Sequence, residues 1–164
     1  PMITSVEEVQ QVKKIAAQIR EELDCEGIAY APHVELGIMI ETPAAAIISD
    51  LLAKEVDFFS IGTNDLTQYT LAIDRQNAML DQFYQPYHKS VLRLMKLVAD
   101  NAHRNHIWCG ICGDLGSDLE MTPLFLAMGI DEISVPPSSI LAVRKKVRET
   151  NVSMIQNQLF EKWL

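Results

Sequence analysis

The chain has 164 residues, 48% of them hydrophobic and 22% charged, enough for one domain with a core to bury and too apolar for wholesale disorder. No apolar run approaches the roughly 18–20 residues of a membrane span. Fourteen Lys and Arg against 22 Asp and Glu leave a net charge of −8, which argues against nucleic acid or an anionic membrane as partner, since both are bound through clustered cations.

Ser5-Val6-Glu7-Glu8 fits a capping box, and Val9, Val12, Ile15, Ala16, Ile19 and Leu23 recur at helical spacing. They predict a helix over Val6–Leu23. Glu35–Glu41 alternates Leu36, Ile38 and Ile40 and predicts a strand. Thr42-Pro43 then opens a helix to about Lys54. Phe58–Ile61 reads as a short buried strand, Gly62-Thr63-Asn64-Asp65 as a turn, and Leu66–Asp74 as a turn of helix. Arg75–Lys89, with Pro86, is irregular. Beyond it lie a helix over Ser90–Asn105, a strand over Ile107–Ile111 and a loop over Cys112–Gly116. A helix over Leu119–Met128, a strand over Glu132–Val135 and helices over Ser138–Glu149 and Ser153–Trp163 complete the chain.

Four strands, each followed by a helix, imply α/β architecture with a parallel sheet. Two arrangements remain, a small doubly wound sheet or part of an eight-stranded (β/α)8 TIM barrel. Glu41, Asn64-Asp65, Cys112 and Ser134 fall at the carboxyl ends of the four strands, as on a barrel rim, and no glycine-rich phosphate loop is present. The half barrel is therefore favoured. It would leave two open sheet edges and an uncovered inner face.

Glu41 and Asp65 lie one βα unit apart. On neighbouring strands their ends would be about 5 Å apart. Carboxylates that close repel unless a cation lies between them, and hard oxygen ligands with room for water and a phosphate suit Mg²⁺. The alternative is a pair of unrelated surface acids. Arg75 could grip a phosphate or carboxylate in bidentate fashion, or be a solvated surface residue. Cys112 reads as a nucleophile or proton donor at a strand end, or as a structural thiol. Cys109 and Cys112 also form C-x-x-C, but Cys109 falls inside a strand pattern and the helix comes late. The four histidines show no metal spacing. Three cysteines, an odd number, suit a reducing cytoplasm rather than a disulfide framework.

Asp57–Arg75 (DFFSIGTNDLTQYTLAIDR) resembles, along its whole length, the signature of the phosphoenolpyruvate (PEP)-utilising enzymes. Gly37–Ala46 and Gly110–Asp114 resemble the same family. The ending Tyr69–Arg75 is similar to its protein-phosphotransferase branch, enzyme I of the bacterial sugar phosphotransferase system. The likeness runs from Pro1 to about Asn151. It implies that residues 1–151 are the latter half of a (β/α)8 barrel and that 152–164 form a C-terminal helix of the same domain. It further implies that Glu41 and Asp65 hold Mg²⁺, and that Asn64, Asp65 and Arg75 contact PEP. Cys112 would protonate the enolate to give pyruvate. The phosphoryl group would pass to a histidine on a separate N-terminal domain and from there to the phosphocarrier protein HPr. Family barrels dimerise, so a homodimer is expected.

Two phosphate-gripping arginines that the family places on early strands have no counterpart. Asp114 stands where Glu is common, a departure expected to touch none of the assigned roles. Pro1 is not an initiator methionine, so the chain is expected to be cut from a longer one, and no secretory leader is visible. Isolated, it should not complete the transfer. The competing readings are a self-associating scaffold and a thiol redox protein using Cys109 and Cys112.

Overall fold

The computed structural model describes all residues, Pro1–Leu164. Helix α1 (Val6–Glu26) opens on the anticipated capping box: Ser5 Oγ accepts from the Glu8 amide, and the Glu8 carboxylate reaches back to the Ser5 amide. It runs three residues beyond the apolar periodicity and ends where Gly27 turns left-handed at φ 69°. Strand β1 (Gly37–Ile40) is followed by α2 (Pro43–Ile47), capped by Thr42, and by α3 (Ser49–Leu52). The single helix predicted over 43–54 is therefore two. The break falls at Ile48, where ψ swings to 18° and the buried Ser49 hydroxyl donates to the Ala46 carbonyl.

Strand β2 (Phe58–Gly62) runs directly into α4 (Thr63–Leu71). Asn64 and Asp65 thus lie in the first turn of a helix rather than in a loop, where their poor interior helix propensity costs little. The irregular excursion contains a 3₁₀ segment over Ala78–Phe83. Helix α5 (Lys89–Arg104) precedes strand β3 (Trp108–Cys112), which includes Cys112 as its last residue. Helix α6 (Thr122–Met128) begins later than its apolar pattern suggests, because Pro123 belongs in a first turn. Strand β4 (Glu132–Ile133) is shorter than read. Helices α7 (Ile140–Glu149) and α8 (Val152–Trp163) follow. No helix is long and apolar enough to cross a membrane.

All strands are parallel, in the order β1-β2-β3-β4. The order never reverses, so the sheet has no topological switch point of the doubly wound kind. Side chains alternate in phase across the register. Ile38, Ile40, Phe59, Ile61, Cys109 and Ile111 turn to one face and are buried. There they join a core with Leu52 of α3, Leu66 of α4, Val91, Leu92, Met95, Val98 and Ala99 of α5, and Leu124 and Phe125 of α6. Leu159, Phe160 and Trp163 bring α8 onto that same core. The other face holds Met39, Phe58, Ser60, Trp108, Gly110 and Cys112. Apart from Gly110, which lies beneath the Glu132 side chain, these are only half-buried. Phe58 and Trp108, aligned in register, stack there with ring centres 4.2 Å apart.

Candidate functional site

The predicted residues lie at the carboxyl ends of β1, β2 and β3. Glu41 follows β1 and is 3% exposed. Its carboxylate lies over the end of β2: a Cβ on Gly62 would meet Glu41 Oε2 at 2.8 Å and Glu41 Cβ at 2.9 Å. The N-terminal segment holds it there. The Met2 amide donates to Glu41 Oε1 at 2.6 Å, and Thr42 Oγ1 donates to the Ile3 carbonyl at 2.8 Å. Both anchors span 39 residues, and no local sequence signal announced them.

Three residues past Gly62, Asp65 pairs with Arg75 across the length of α4, Oδ1 to Nη2 at 3.2 Å, with both side chains about one-third exposed. The Arg75 amide donates to Gln68 Oε1 at 3.1 Å, which fixes the chain where it leaves the helix. An ion pair this open adds little to stability, so the guanidinium can turn to another anion at small cost.

Gly62 and Cys112 are register partners on β2 and β3. The Cys112 thiol faces the open side, 3.5 Å from Ser60 Oγ and 3.7 Å from the Ile61 carbonyl. Cys109 faces the helices. Burial, with a smaller contribution from nearby Asp131, pushes its thiol up to about 12. Positions three apart on a strand point to opposite faces and lie about 10 Å apart along it. A disulfide needs Cα atoms within about 7 Å. All three cysteines are free, and the C-x-x-C cannot close without breaking β3.

The loop after Cys112 is fastened to the start of α4. Thr63 Oγ1 donates to the Cys112 carbonyl at 3.0 Å. Asn64 Nδ2 donates to Asp114 Oδ2 at 3.1 Å, and the Asp114 amide donates to Asn64 Oδ1 at 3.2 Å. Gly113 between them has φ 107°, and a Cβ there would sit 2.4 Å from Thr63 Oγ1. Asp114 therefore touches Asn64 twice, contrary to the sequence reading that set it apart from the site residues. The contact joins residues 50 apart and depends on strand register. Tyr84 Oη donates to the Asn64 carbonyl at 3.3 Å. Burial raises its phenol above the usual tyrosine range, against the opposing influence of the Thr67 hydroxyl and Arg75, and Asp114 and Asp65 add to the rise.

A cavity of about 210 Å³ opens beside this group, lined by Asn64, Tyr84, Tyr87, Asp114 and Asp118 among others. A larger one of about 630 Å³ lies on α7 among Arg144, Lys145 and Arg148 and includes none of the predicted residues. No three His, Cys, Asp or Glu side chains gather closely enough to hold a metal by themselves. Glu41 and Asp65 nonetheless each keep one carboxylate oxygen, Oε2 and Oδ2, free of protein hydrogen bonds. Two carboxylates completed by water and a substrate phosphate are a normal Mg²⁺ donor set. Of the histidines, His103 braces β3, its Nε2 lying 2.8 Å from Asp131 Oδ2, which also accepts from the Cys109 amide.

The chain is 44% identical over 159 residues to a phosphoenolpyruvate-protein phosphotransferase of Priestia megaterium, covering 97% of this chain and 28% of that protein. It is 48% identical over 151 residues to the protein of that name in Haemophilus influenzae (92% and 26%). It is 47% identical over 153 residues to that of Listeria monocytogenes (93% and 27%). It thus spans about a quarter of the length of these relatives. The pattern that defines the PEP-binding domain of the PEP-utilising enzymes matches residues 1–152, and the chain belongs to that family.

Proposed function

We propose that the chain is the PEP-binding part of a phosphoenolpyruvate–protein phosphotransferase. It would form the latter half of a (β/α)8 barrel whose earlier strands complete the sheet. The unreversed strand order and the open face carrying Met39, Phe58 and Trp108 support the barrel. One observation carries the functional reading. Glu41, Asn64 and Asp65 of the first turn of α4, Arg75 and Cys112 converge on the carboxyl ends of adjacent parallel strands.

Glu41 and Asp65 would hold Mg²⁺ through their free oxygens, and the ion supplies neutralisation of phosphate and carboxylate charge. Arg75 would leave Asp65 to brace the transferring phosphoryl group, and the second N–H of Asn64 Nδ2, which Asp114 does not use, would be available to the same anion. As the bridging O–P bond of PEP breaks, phosphorus passes to a histidine nitrogen of a separate domain and the electron pair stays on the enolate oxygen. The enolate carbon takes the proton of Cys112, giving pyruvate and a thiolate that recovers a proton from water. Phosphohistidine then serves the carrier HPr. The protein works in the cytoplasm, where free thiols persist, and as a homodimer. Within these 164 residues Arg75 is the one guanidinium at the site, so the chain alone binds PEP weakly and does not turn over.

The test uses the full-length phosphotransferase carrying this segment. PEP should raise its melting temperature only when Mg²⁺ is present, and Cys112→Ala should keep that shift while losing pyruvate formation. A PEP shift indifferent to Mg²⁺ removes the metal role. Normal pyruvate formation by Cys112→Ala removes the proton donor.

A further inference from the structure

We propose that Asp114 is a positioning residue for the substrate: it sets the orientation of the Asn64 carboxamide and registers the Cys112 loop against α4. The proposal rests on the reading of Asn64 as a PEP contact. A carboxamide presents two ends of nearly equal shape and opposite hydrogen-bonding sense. Asp114 addresses both. Its carboxylate can only accept, and takes one Nδ2 hydrogen at 3.1 Å. Its backbone N–H can only donate, and holds Oδ1 at 3.2 Å. Flipping the amide would set acceptor against acceptor and donor against donor. One orientation survives, and in it the second Nδ2 hydrogen remains for an anion.

The neighbouring contacts make the arrangement stiff. Thr63 Oγ1 holds the Cys112 carbonyl at 3.0 Å, and Tyr84 Oη holds the Asn64 carbonyl at 3.3 Å. Gly113 approaches Thr63 more closely than any residue with a Cβ could. Thr63 and the Asp114 backbone N–H keep the loop fastened when the Asp114 carboxylate is removed, so its loss frees the Asn64 carboxamide and leaves Cys112 in place. Asp114 is itself exposed. An exposed polar contact contributes little to folding, so its loss reads on binding rather than on stability.

The experiment measures KM and kcat for PEP, with Mg²⁺ saturating, in the full-length phosphotransferase that carries this segment. The variants are Asn64→Ala, Asp114→Ala, Asp114→Asn and the double alanine variant. Asn64→Ala should raise KM about tenfold. Asp114→Ala should raise it about three- to tenfold with kcat changed less than about twofold, the pattern of lost uniform binding. Asp114→Asn, whose side-chain oxygen still accepts from Asn64, should stay within about twofold of the parent. In the Asn64→Ala background, Asp114→Ala should add nothing, because both hydrogen bonds that tie Asp114 to α4 end on the Asn64 side chain and are already gone. Multiplicative effects in the double variant overturn the proposal. So does an unchanged KM in Asp114→Ala, or an Asp114→Asn as impaired as the alanine. An unchanged KM in Asn64→Ala is a different failure: it removes Asn64 from the site, and the role of Asp114 with it.

Discussion

Replacing Gly113 by alanine should destabilise the chain far more than an alanine at another left-handed glycine. Gly113 has φ 107° and ψ −179°, a region essentially closed to side-chain-bearing residues, at a cost of about 1–3 kcal/mol. The new Cβ would lie 2.4 Å from Thr63 Oγ1. Thr63 must then rotate away and release the Cys112 carbonyl, a bond of about 1 kcal/mol. The sum is about 2–4 kcal/mol. Gly27 is the control. It caps α1 at φ 69° and ψ 23°, and a Cβ there meets nothing within 4 Å. Gly27→Ala therefore carries only the left-handed backbone term, about 1 kcal/mol. In a chain of this size each kcal/mol lowers the melting temperature by about 2–4 °C. Thermal unfolding followed by circular dichroism should place Gly113→Ala about 4–16 °C below the parent and Gly27→Ala about 2–4 °C below. A Gly113→Ala protein melting no lower than Gly27→Ala refutes the account of the loop as locked against α4.

Gly62→Ala attacks the proposed metal site without changing a proposed ligand. Its Cβ would meet Glu41 Oε2 at 2.8 Å, so the carboxylate must leave the end of β2, and the full-length protein should lose Mg²⁺-dependent PEP protection in a thermal shift assay. Native thiol labelling with a disulfide reagent should modify exposed Cys25 and half-buried Cys112, and reach Cys109 only on unfolding. Cys109 also predicts an alkaline effect. Its folded thiol titrates near 12 against an ordinary value of 9.0, so the folded state holds one more proton across that window and stability falls as pH rises through it. The parent's advantage over Cys109→Ala in urea unfolding should shrink by about 1 kcal/mol between pH 7 and pH 10.

The sequence shows the alternation of strands and helices because each element carries a strong local signal. Ser5 and Thr42 cap where their hydroxyls predict, and of the stripe Val91, Leu94, Met95, Val98 all but the half-buried Leu94 are buried in the core, where Leu92 joins them. The start of α4 reads as a turn because Gly-Thr-Asn-Asp has the composition of one. Only the strand feeding straight into Thr63 makes it a helical first turn. The late start of α6 is marked by Pro123, which belongs in a first turn. The break at Ile48 has no sequence mark. The candidate site residues stand out in the sequence one at a time, as polar groups at strand ends. Their linkages were not: Met2 to Glu41, Ser60 to Cys112 and Asn64 to Asp114 join positions 39 to 52 apart, and only the register brings them together.

That register rests on a parity that the sequence does contain. Gly37, Phe58 and Trp108 are level with one another, as are Met39, Ser60 and Gly110, and then Gly62 and Cys112. A slip of one residue in β3 would turn Ile111 to the open face and bury Cys112 among the helices. The two sulfurs thereby acquire different chemistry three positions apart on one strand: Cys109 is a buried, protonated core residue and Cys112 an accessible thiol beside Ser60. The glycines of the open face extend the logic. Gly62 lies under the Glu41 carboxylate, and Gly110 lies under Glu132, whose Oε2 would stand 2.6 Å from an added Cβ. Side chains from neighbouring strands lie flat on the sheet where the strand beneath has none. The helix-covered face, filled with Ile, Phe and Leu, fixes the register, and the register sets the carboxylates and the thiol on the other.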